Sequence, residues 1–364
     1  MMWRIAWPLG WPLAGLYGAL VRLRLLAYRR GWRATLRLGA ATVAIGNLTA
    51  GGTGKTPVVS WLLHEAQAAG LRPACLTRGH GRRTAARLSR VRVQDGTPVE
   101  ARALGDEAAM LAERHPAVPF FVCPDRSLAA RLAAVTDAPE VFVLDDAYQH
   151  LRAARDLNVL LVDGETGFGN GRLLPLGPLR EPLSGAGRAD VVLITKSASG
   201  EADGAVSALR RLGVKAPVFR CEYRPTALTR LDGEATLPLA AVAGRPVKLL
   251  SGIARPDSFR ATLRSLGAAP AQVEVRPDHH PYPERDLRRI EALVANPPGP
   301  AAGGPLWITT EKDAVKLRGR LKAPAAARLW VLAMEAVPEP AARAFFLDRL
   351  RALTLKYLGE LKTH

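Results

Sequence analysis

Along the first half of the chain, short and nearly continuous apolar runs alternate with longer stretches whose apolar residues recur every three or four positions. Ala41–Ile45, Arg72–Thr77, Phe120–Cys123, Val141–Leu144, Leu157–Val162 and Val191–Ile194 read as strands, with helices over Pro57–Ala69, Asp106–Arg114 and Ser127–Val135. Strands covered on both faces need no polar alternation, so the rhythm predicts a doubly wound, mainly parallel α/β sheet. After Val218 the rhythm changes. Phe219–Leu239 is polar and β-like with a hairpin signal at Asp232-Gly233, Pro246–Leu266 reads as strand, loop and helix, and Leu306–Thr309 as a further strand. Proline, glycine and alanine over Pro297–Pro305 mark a connector. The expected divisions are an N-terminal segment (1–38), a core (39–222), a smaller α/β domain with a linker hairpin (223–330) and a C-terminal helical segment (331–364). The closing helix, Ala341–Leu358, suits packing on either domain, and there is no internal repeat.

Between the first strand and the first helix lies Thr49-Ala50-Gly51-Gly52-Thr53-Gly54-Lys55-Thr56. Its end matches the phosphate-loop pattern GxxxxGK[ST], while Thr49 stands where the first glycine is usual. The context compensates: Gly51 and Gly52 permit the tight turn, and backbone N–H groups at a helix N-terminus bind phosphate oxygens. Lys55 then reaches the β- and γ-phosphates of ATP, and Thr56 ligates Mg2+. Lys55 is also the one lysine ahead of Lys196 in a chain whose 51 basic residues are mostly arginine, so a compact point charge sits where such a loop needs it. Downstream, Val141–Leu144 ends in Asp145 and Asp146, a second strand tipped with carboxylates. Alone such a pair is equally a turn or a helix cap; after a phosphate loop it reads as a magnesium site. The fold class is therefore that of the phosphate-loop NTPases.

The beginning of the chain adds a different chemistry. Ile5–Val21 is uncharged and carries Trp7, Trp11 and Tyr17, with Trp3 ahead of it, and Arg22, Arg24, Arg29, Arg30, Arg33 and Arg37 follow. The run falls short of the roughly 20 residues a span needs, and Pro8, Gly10, Pro12 and Gly15 interrupt it. Aromatics at headgroup depth followed by arginines predict an interfacial, membrane-associating helix, with a plain core helix as the alternative. A secretory leader is not expected, because the phosphate loop needs cytosolic nucleotide. The net charge of +18 calls for an anionic partner, whether nucleic acid, phospholipid or phosphorylated substrate, unless it merely decorates a soluble face. At 48% apolar residues the chain is not disordered. Cys75, Cys123 and Cys221 lie far apart, which argues against zinc or a disulfide framework and for reduced thiols in the cytosol.

Taken together, Gly46-Asn-Leu-Thr-Ala-Gly-Gly-Thr-Gly-Lys-Thr-Pro57, Gly105-Asp-Glu107, Leu144-Asp-Asp-Ala-Tyr-Gln-His150, Arg155-Asp-Leu-Asn158 and Phe168-Gly-Asn-Gly-Arg-Leu-Leu-Pro175 resemble the tetraacyldisaccharide 4'-kinases, the lipid A 4'-kinases of Gram-negative bacteria. Gly177-Pro-Leu-Arg-Glu-Pro182, Gly252-Ile-Ala-Arg-Pro256, Asp278-His-His280 and Thr310-Glu-Lys-Asp313 continue the resemblance almost end to end. It implies transfer of the ATP γ-phosphoryl group to the 4'-hydroxyl of a lipid A disaccharide 1-phosphate, by a protein peripheral to the anionic cytoplasmic face of the inner membrane. Nucleic acid is then not an expected partner, and the acceptor accounts for the anchor and the positive charge together.

The resemblance also implies residue roles. Asp106, which in isolation reads as a helix cap, becomes the carboxylate that accepts the acceptor's proton. His279 becomes its tuning partner, which requires the smaller domain to close over the nucleotide. Glu181 is similar to a further magnesium-associated acid, though a salt bridge explains it nearly as well. Gln149 and His150 follow the acidic strand end into the same cleft, and Arg78 follows a strand where it suits a sugar or phosphate; these three are the expected substrate contacts. Thr195-Lys196 is similar to base-contacting positions of other phosphate-loop proteins, and Thr310–Asp313 reads as a capping network. Two departures stand out: His80 replaces a usual tyrosine, and Ala147 a usual glycine. The rival readings are a nucleotide switch or metallochaperone NTPase, and a kinase for a small soluble acceptor.

Overall fold

The computed structural model describes residues 7–82, 84, 86–93, 99–197, 202–295 and 305–362. Trp3, the first two residues of the uncharged run and nearly all of the expected connector lie outside them. The first element, α1 (Trp7–Arg29), continues as helix through Pro12. No helix among the described residues is long and apolar enough to cross a membrane.

The first half follows as β1 (Ala41–Asn47), α2 (Lys55–Ala68), β2 (Pro73–Thr77), β3 (Ser89–Val91), α3 (Ala101–Leu104), α4 (Asp106–Arg114), β4 (Phe120–Val122), α5 (Arg126–Thr136), β5 (Val141–Leu144), β6 (Leu157–Asp163), β7 (Val191–Thr195) and α6 (Ala202–Arg211). Its strands lie in the order β7-β6-β1-β5-β2-β4, all parallel, with β3 antiparallel at the edge. Every residue of β1, β2, β5, β6 and β7 is buried, which is why their sequences show no alternation.

Next come β8 (Val218–Arg230), β9 (Thr236–Leu237), β10 (Pro246–Ser251), α7 (Pro256–Ser265), β11 (Ala269–Val275), α8 (Glu284–Ala295), β12 (Leu306–Thr310), α9 (Glu311–Leu317), α10 (Ala323–Ala326), β13 (Leu329–Pro338) and α11 (Pro340–Lys362). The hairpin expected at Asp232-Gly233 joins β8 to β9, with Gly233 at φ 84°. β8 pairs parallel with β7 at its start and antiparallel with β13 along its length. One sheet therefore runs through both halves, and the boundary expected at 222/223 falls inside β8. Residues 331–338, expected in a helical segment, are strand. The apolar run Leu329-Trp-Val-Leu332 is buried between β12 and β8, and helix resumes only at Pro340.

The C-terminal half has its own cores, one around Leu250, Tyr282, Leu287 and Trp307 and one around Val247, Leu249, Phe259 and Ile308. The closing helix returns to the other half. Ala342, Phe346 and Leu350 join the core of β1 and α2, Trp61 meets Phe346 edge-on at 5.2 Å, and Arg343 Nε donates to Glu65 at 3.0 Å. The chain thus crosses between halves along two paired strands, β8 outward and β13 back.

Candidate active site

At the C-terminal end of β1 the chain turns through the glycine loop into α2, which places the loop's backbone N–H groups at a helix N-terminus. Gly54, at φ 74°, cannot be replaced cheaply: a Cβ there would run into the ring of Tyr223, whose hydroxyl donates to the Gly54 carbonyl at 2.5 Å. Thr195 Oγ1 donates to the Thr53 carbonyl at 3.0 Å, and Lys196 Nζ to that of Gly52 at 3.4 Å. Thr195-Lys196 therefore braces the loop from below. Ala50 N donates to Pro178 O at 2.6 Å, tying the loop to the segment that carries Arg180 and Glu181. Lys55 is buried, its Nζ 3.4 Å from Asn47 Oδ1 and 3.6 Å from Asp146 Oδ1.

Asp145 and Asp146 follow β5. Asp145 Oδ2 accepts from Thr77 Oγ1 at 3.1 Å, while its buried Oδ1 has no partner. Burial, then Glu107 and Asp146, push its carboxyl up to about 7. Beneath it lies Arg126, buried, donating to the Asp145 carbonyl at 3.2 Å. Asp146 stands at φ 46° and receives Arg180 Nη1 on both oxygens at 3.0 Å. Burial opposes its charge, but Lys55 and Arg180 outweigh that and hold it below the usual range. The left-handed residue is Asp146 itself, so Ala147 fits where glycine was usual. Glu181 Oε1 accepts from Gln149 Nε2 and Arg188 Nη2, both at 2.8 Å.

Asp145, Asp146, Glu181, Arg78, Gln149 and His150 line one cavity of about 680 Å3. Tyr17, Val21, Arg24 and Leu25 of α1 form another part of its wall. Tyr17 donates to Arg180 O at 2.6 Å and Arg24 to Gln149 O at 2.9 Å, which docks α1 onto the site. On its other side α1 exposes Trp11, Leu13, Leu16, Leu20, Leu23 and Leu26, each at least 40% accessible. Burial, then Arg126, pushes the His150 imidazole down to about 4, so it is neutral at pH 7.

Asp106 opens α4. Gly105 before it, at φ 91°, packs so closely on the His80 carbonyl that a Cβ has no room, and this fixes where the helix starts. Asp106 Oδ2 lies 3.2 Å from His279 Nδ1, across the cleft between the halves. His279, at φ 58°, has Lys312 Nζ 3.1 Å from its Nε2, and the His80 ring meets it edge-on at 5.3 Å. The departure to His80 thus puts an imidazole beside the acid–histidine pair. Burial works against the Asp106 charge, yet His279, Lys316 and Lys312 together hold its carboxyl below the ordinary range. Neighbouring Glu107 lines the 680 Å3 cavity, so the pair sits at that cavity's edge.

Among the described residues no three His, Cys, Asp or Glu side chains converge as a ready metal cluster. Glu181 is engaged with Arg188 and Gln149, and Asp146 with Arg180. The loop instead offers hard oxygens, the Thr56 hydroxyl at the second position of α2 and the unpartnered Asp145 Oδ1, which suit a small divalent cation. Sequence reasoning missed Arg126, Arg180 and Lys316. The first two sit at ordinary arginine positions, and nothing local marks them as lying under or against a carboxylate.

A family model described as tetraacyldisaccharide-1-P 4'-kinase matches residues 6–351. A tetraacyldisaccharide 4'-kinase of Anaeromyxobacter sp. strain K is 41% identical over 328 residues, covering 88% of this chain and 84% of that protein. One from Alkalilimnicola ehrlichii is 38% identical over 346 residues, covering 94% and 93%. Among solved structures, LpxK from Aquifex aeolicus in complex with ATP superposes with a TM-score of 0.74 at 27% identity, covering 93% of this chain and 97% of that one.

Proposed function

Because the chain belongs to the tetraacyldisaccharide-1-P 4'-kinase family, and so is an ATP-dependent kinase of lipid A biosynthesis, we propose how its own residues carry out the transfer and where they do it. The observation that carries the proposal is the shared cavity: α1 contributes to its wall, and Asp145 and Asp146 of the nucleotide half contribute too. An acylated sugar lying along α1 presents its hydroxyl toward the phosphates without leaving the bilayer surface. A soluble acceptor gives no reason for six large apolar side chains exposed on α1.

Lys55 and the loop N–H groups hold the β- and γ-phosphates, and Asp146 with Asn47 directs the lysine head. Thr56 and Asp145 would hold Mg2+, which would supply charge neutralisation of the phosphates. Asp106 accepts the proton of the 4'-hydroxyl as its oxygen bonds to the γ-phosphorus, the bond to the β,γ-bridging oxygen breaks, and ADP leaves. His279 orients the Asp106 carboxylate from the other half, so the acid–base pair is complete only when the halves are together. Arg78, Gln149 and His150 contact the substrate. Arg22, Arg29, Arg30 and Arg33 rest on anionic lipid at the cytoplasmic face of the inner membrane, with α1 in the interface.

The test uses the full chain with labelled ATP and lipid A disaccharide 1-phosphate in detergent, with and without Mg2+. Label moves to the lipid only with Mg2+ present. ATP hydrolysis without lipid labelling, or transfer unaffected by chelator, overturns the corresponding part of the proposal.

A further inference from the structure

Besides His279, Asp106 has a lysine neighbour. Lys316, on α9, is buried, and its Nζ lies 3.0 Å from Asp313 Oδ1 and 3.6 Å from Asp106 Oδ2, in ion-pair rather than aligned hydrogen-bond geometry. Asp313 and Lys316 are three apart and share a helix face. Asp313 is wholly buried and heavily tied: it accepts from Gly252 N at 2.8 Å, Thr310 Oγ1 at 2.7 Å and Tyr282 Oη at 3.1 Å. The Lys316 ammonium also sits 5.3 Å from the centre of the Tyr282 ring. Thr310-Glu-Lys-Asp313 is therefore more than a cap. It opens α9 and builds the socket that points a lysine from the C-terminal half at a carboxylate of the other half.

Lys316 already has a full counter-ion in Asp313, so its approach to Asp106 is not needed to neutralise a buried charge. The need lies with Asp106. Asp145, Asp146 and Glu107 share the neighbouring cavity, and ATP and a sugar 1-phosphate add further negative charge there. Burial already opposes the Asp106 charge, incoming phosphates act in the same direction, and a protonated Asp106 accepts nothing. The groups facing it are His279 with His80 behind it, Lys312 paired with Asp278, and Lys316. A second cavity of about 460 Å3 on the same side adds Glu100, Arg102, Arg318 and Arg320. Lys316 is held in place through Asp313, which is itself locked by three donors.

We propose that Lys316, held by Asp313, is a positioning residue for Asp106, keeping that carboxylate ionised and its Oδ2 fixed while anionic phosphates occupy the cleft. The inference rests on the reading of Asp106 as the proton acceptor. It assigns to the Thr310–Asp313 segment a part in the reaction, delivered through closure of the C-terminal half.

The experiment measures log kcat against pH for lipid phosphorylation by the full chain and by Lys316→Met, Lys316→Arg and Asp106→Ala. In Lys316→Met, kcat at neutral pH falls by about tenfold or more while KM for ATP stays within about twofold. Its acidic limb moves up by about one pH unit, and Lys316→Arg restores both. A loss of activity with the acidic limb unmoved, or an unchanged kcat, overturns the proposal. If Lys316→Met does not fold, the double variant Lys316→Met/Asp313→Asn, which removes both buried charges together, is read for the same limb. Asp106→Ala separates the two failures. Turnover retained there sinks the reading of Asp106, whereas a dead Asp106→Ala beside an unmoved Lys316 limb sinks only the role of Lys316.

Discussion

Lys55 and Asp146 stand 3.6 Å apart because β1, the glycine loop, α2 and β5 of one half put them there. Asp106 and His279 stand 3.2 Å apart because a loop from the other half, 173 residues on, reaches across a cleft. The proposed phosphate-holding side is braced by side chains of neighbouring strands in the same sheet: Gly54 by Tyr223, Thr53 by Thr195, Asp145 by Thr77. The acid–base side is assembled from His279, Lys312 and Lys316 on one half and Asp106 on the other. On the proposed roles, phosphate holding rests on the first half of the chain and proton transfer on residues of both halves.

The separation is broken most severely at Asp106. Asp106→Ala lowers kcat by about 10²–10⁴-fold while equilibrium ATP binding persists; loss of ATP binding in that variant, seen by calorimetry, merges the two sides into one. Lys55→Ala costs about 10²–10³-fold and weakens ATP binding as well, the opposite pattern. On the membrane side, Leu16→Asp with Leu20→Asp reduces cosedimentation with anionic liposomes by at least about tenfold, because two exposed leucines no longer enter the interface. Equal sedimentation of both proteins removes α1 from the interface.

Smaller effects sharpen the comparison. His115, hydrogen-bonded to Ser60 at 2.8 Å behind the loop helix, is pushed down to about 4 by burial, then by Arg114. A depressed histidine stabilises the fold fully above its ordinary value near 6.5. That stability, about 3 kcal/mol, is lost as pH falls from there toward 4. Urea melts across this window show the loss, and His115→Gln flattens it; the same slope in the variant shows that other groups are responsible. This fixes how far an acidic limb of activity reflects chemistry and not unfolding. Smallest is Arg255→Ala. Arg255 reaches from the C-terminal half to Glu165 at 2.5 Å and Asp163 at 3.5 Å, a partly exposed pair worth little. Its removal raises KM for ATP about threefold or less, and a larger rise measured in steady state marks it as a principal latch.

What could be read beforehand follows the same division. The loop, the acidic strand end and the helix opening at Asp106 are contiguous in sequence, and their strands declare themselves by unbroken apolar runs. Lys316 and Arg126 look like any other charged residue in a helix, because what distinguishes them is a carboxylate or carbonyl brought close by a distant segment. His279 was reached through family resemblance alone, since two adjacent histidines carry no local signal for a partner 173 positions away. The single sheet was hidden for a related reason. β8 changes partner along its length, parallel to β7 and antiparallel to β13, and its half-buried, polar sequence reads as a linker. Leu329–Pro338 is apolar enough for a strand, but its place between β12 and β8 depends on pairing that no single segment encodes.

The three cysteines have a practical meaning for the membrane question. Cys75, Cys123 and Cys221 are all free and buried, and burial raises the thiol of Cys75 far above its usual value and that of Cys221 to about 12. Neutral buried thiols react slowly with maleimides and nitroxide reagents. The native chain is therefore already a quiet background for site-directed labelling. A cysteine placed at Leu13, Leu20 or Leu26 accepts a probe selectively, and the change in each label's surroundings on adding anionic liposomes tests whether α1 enters the interface.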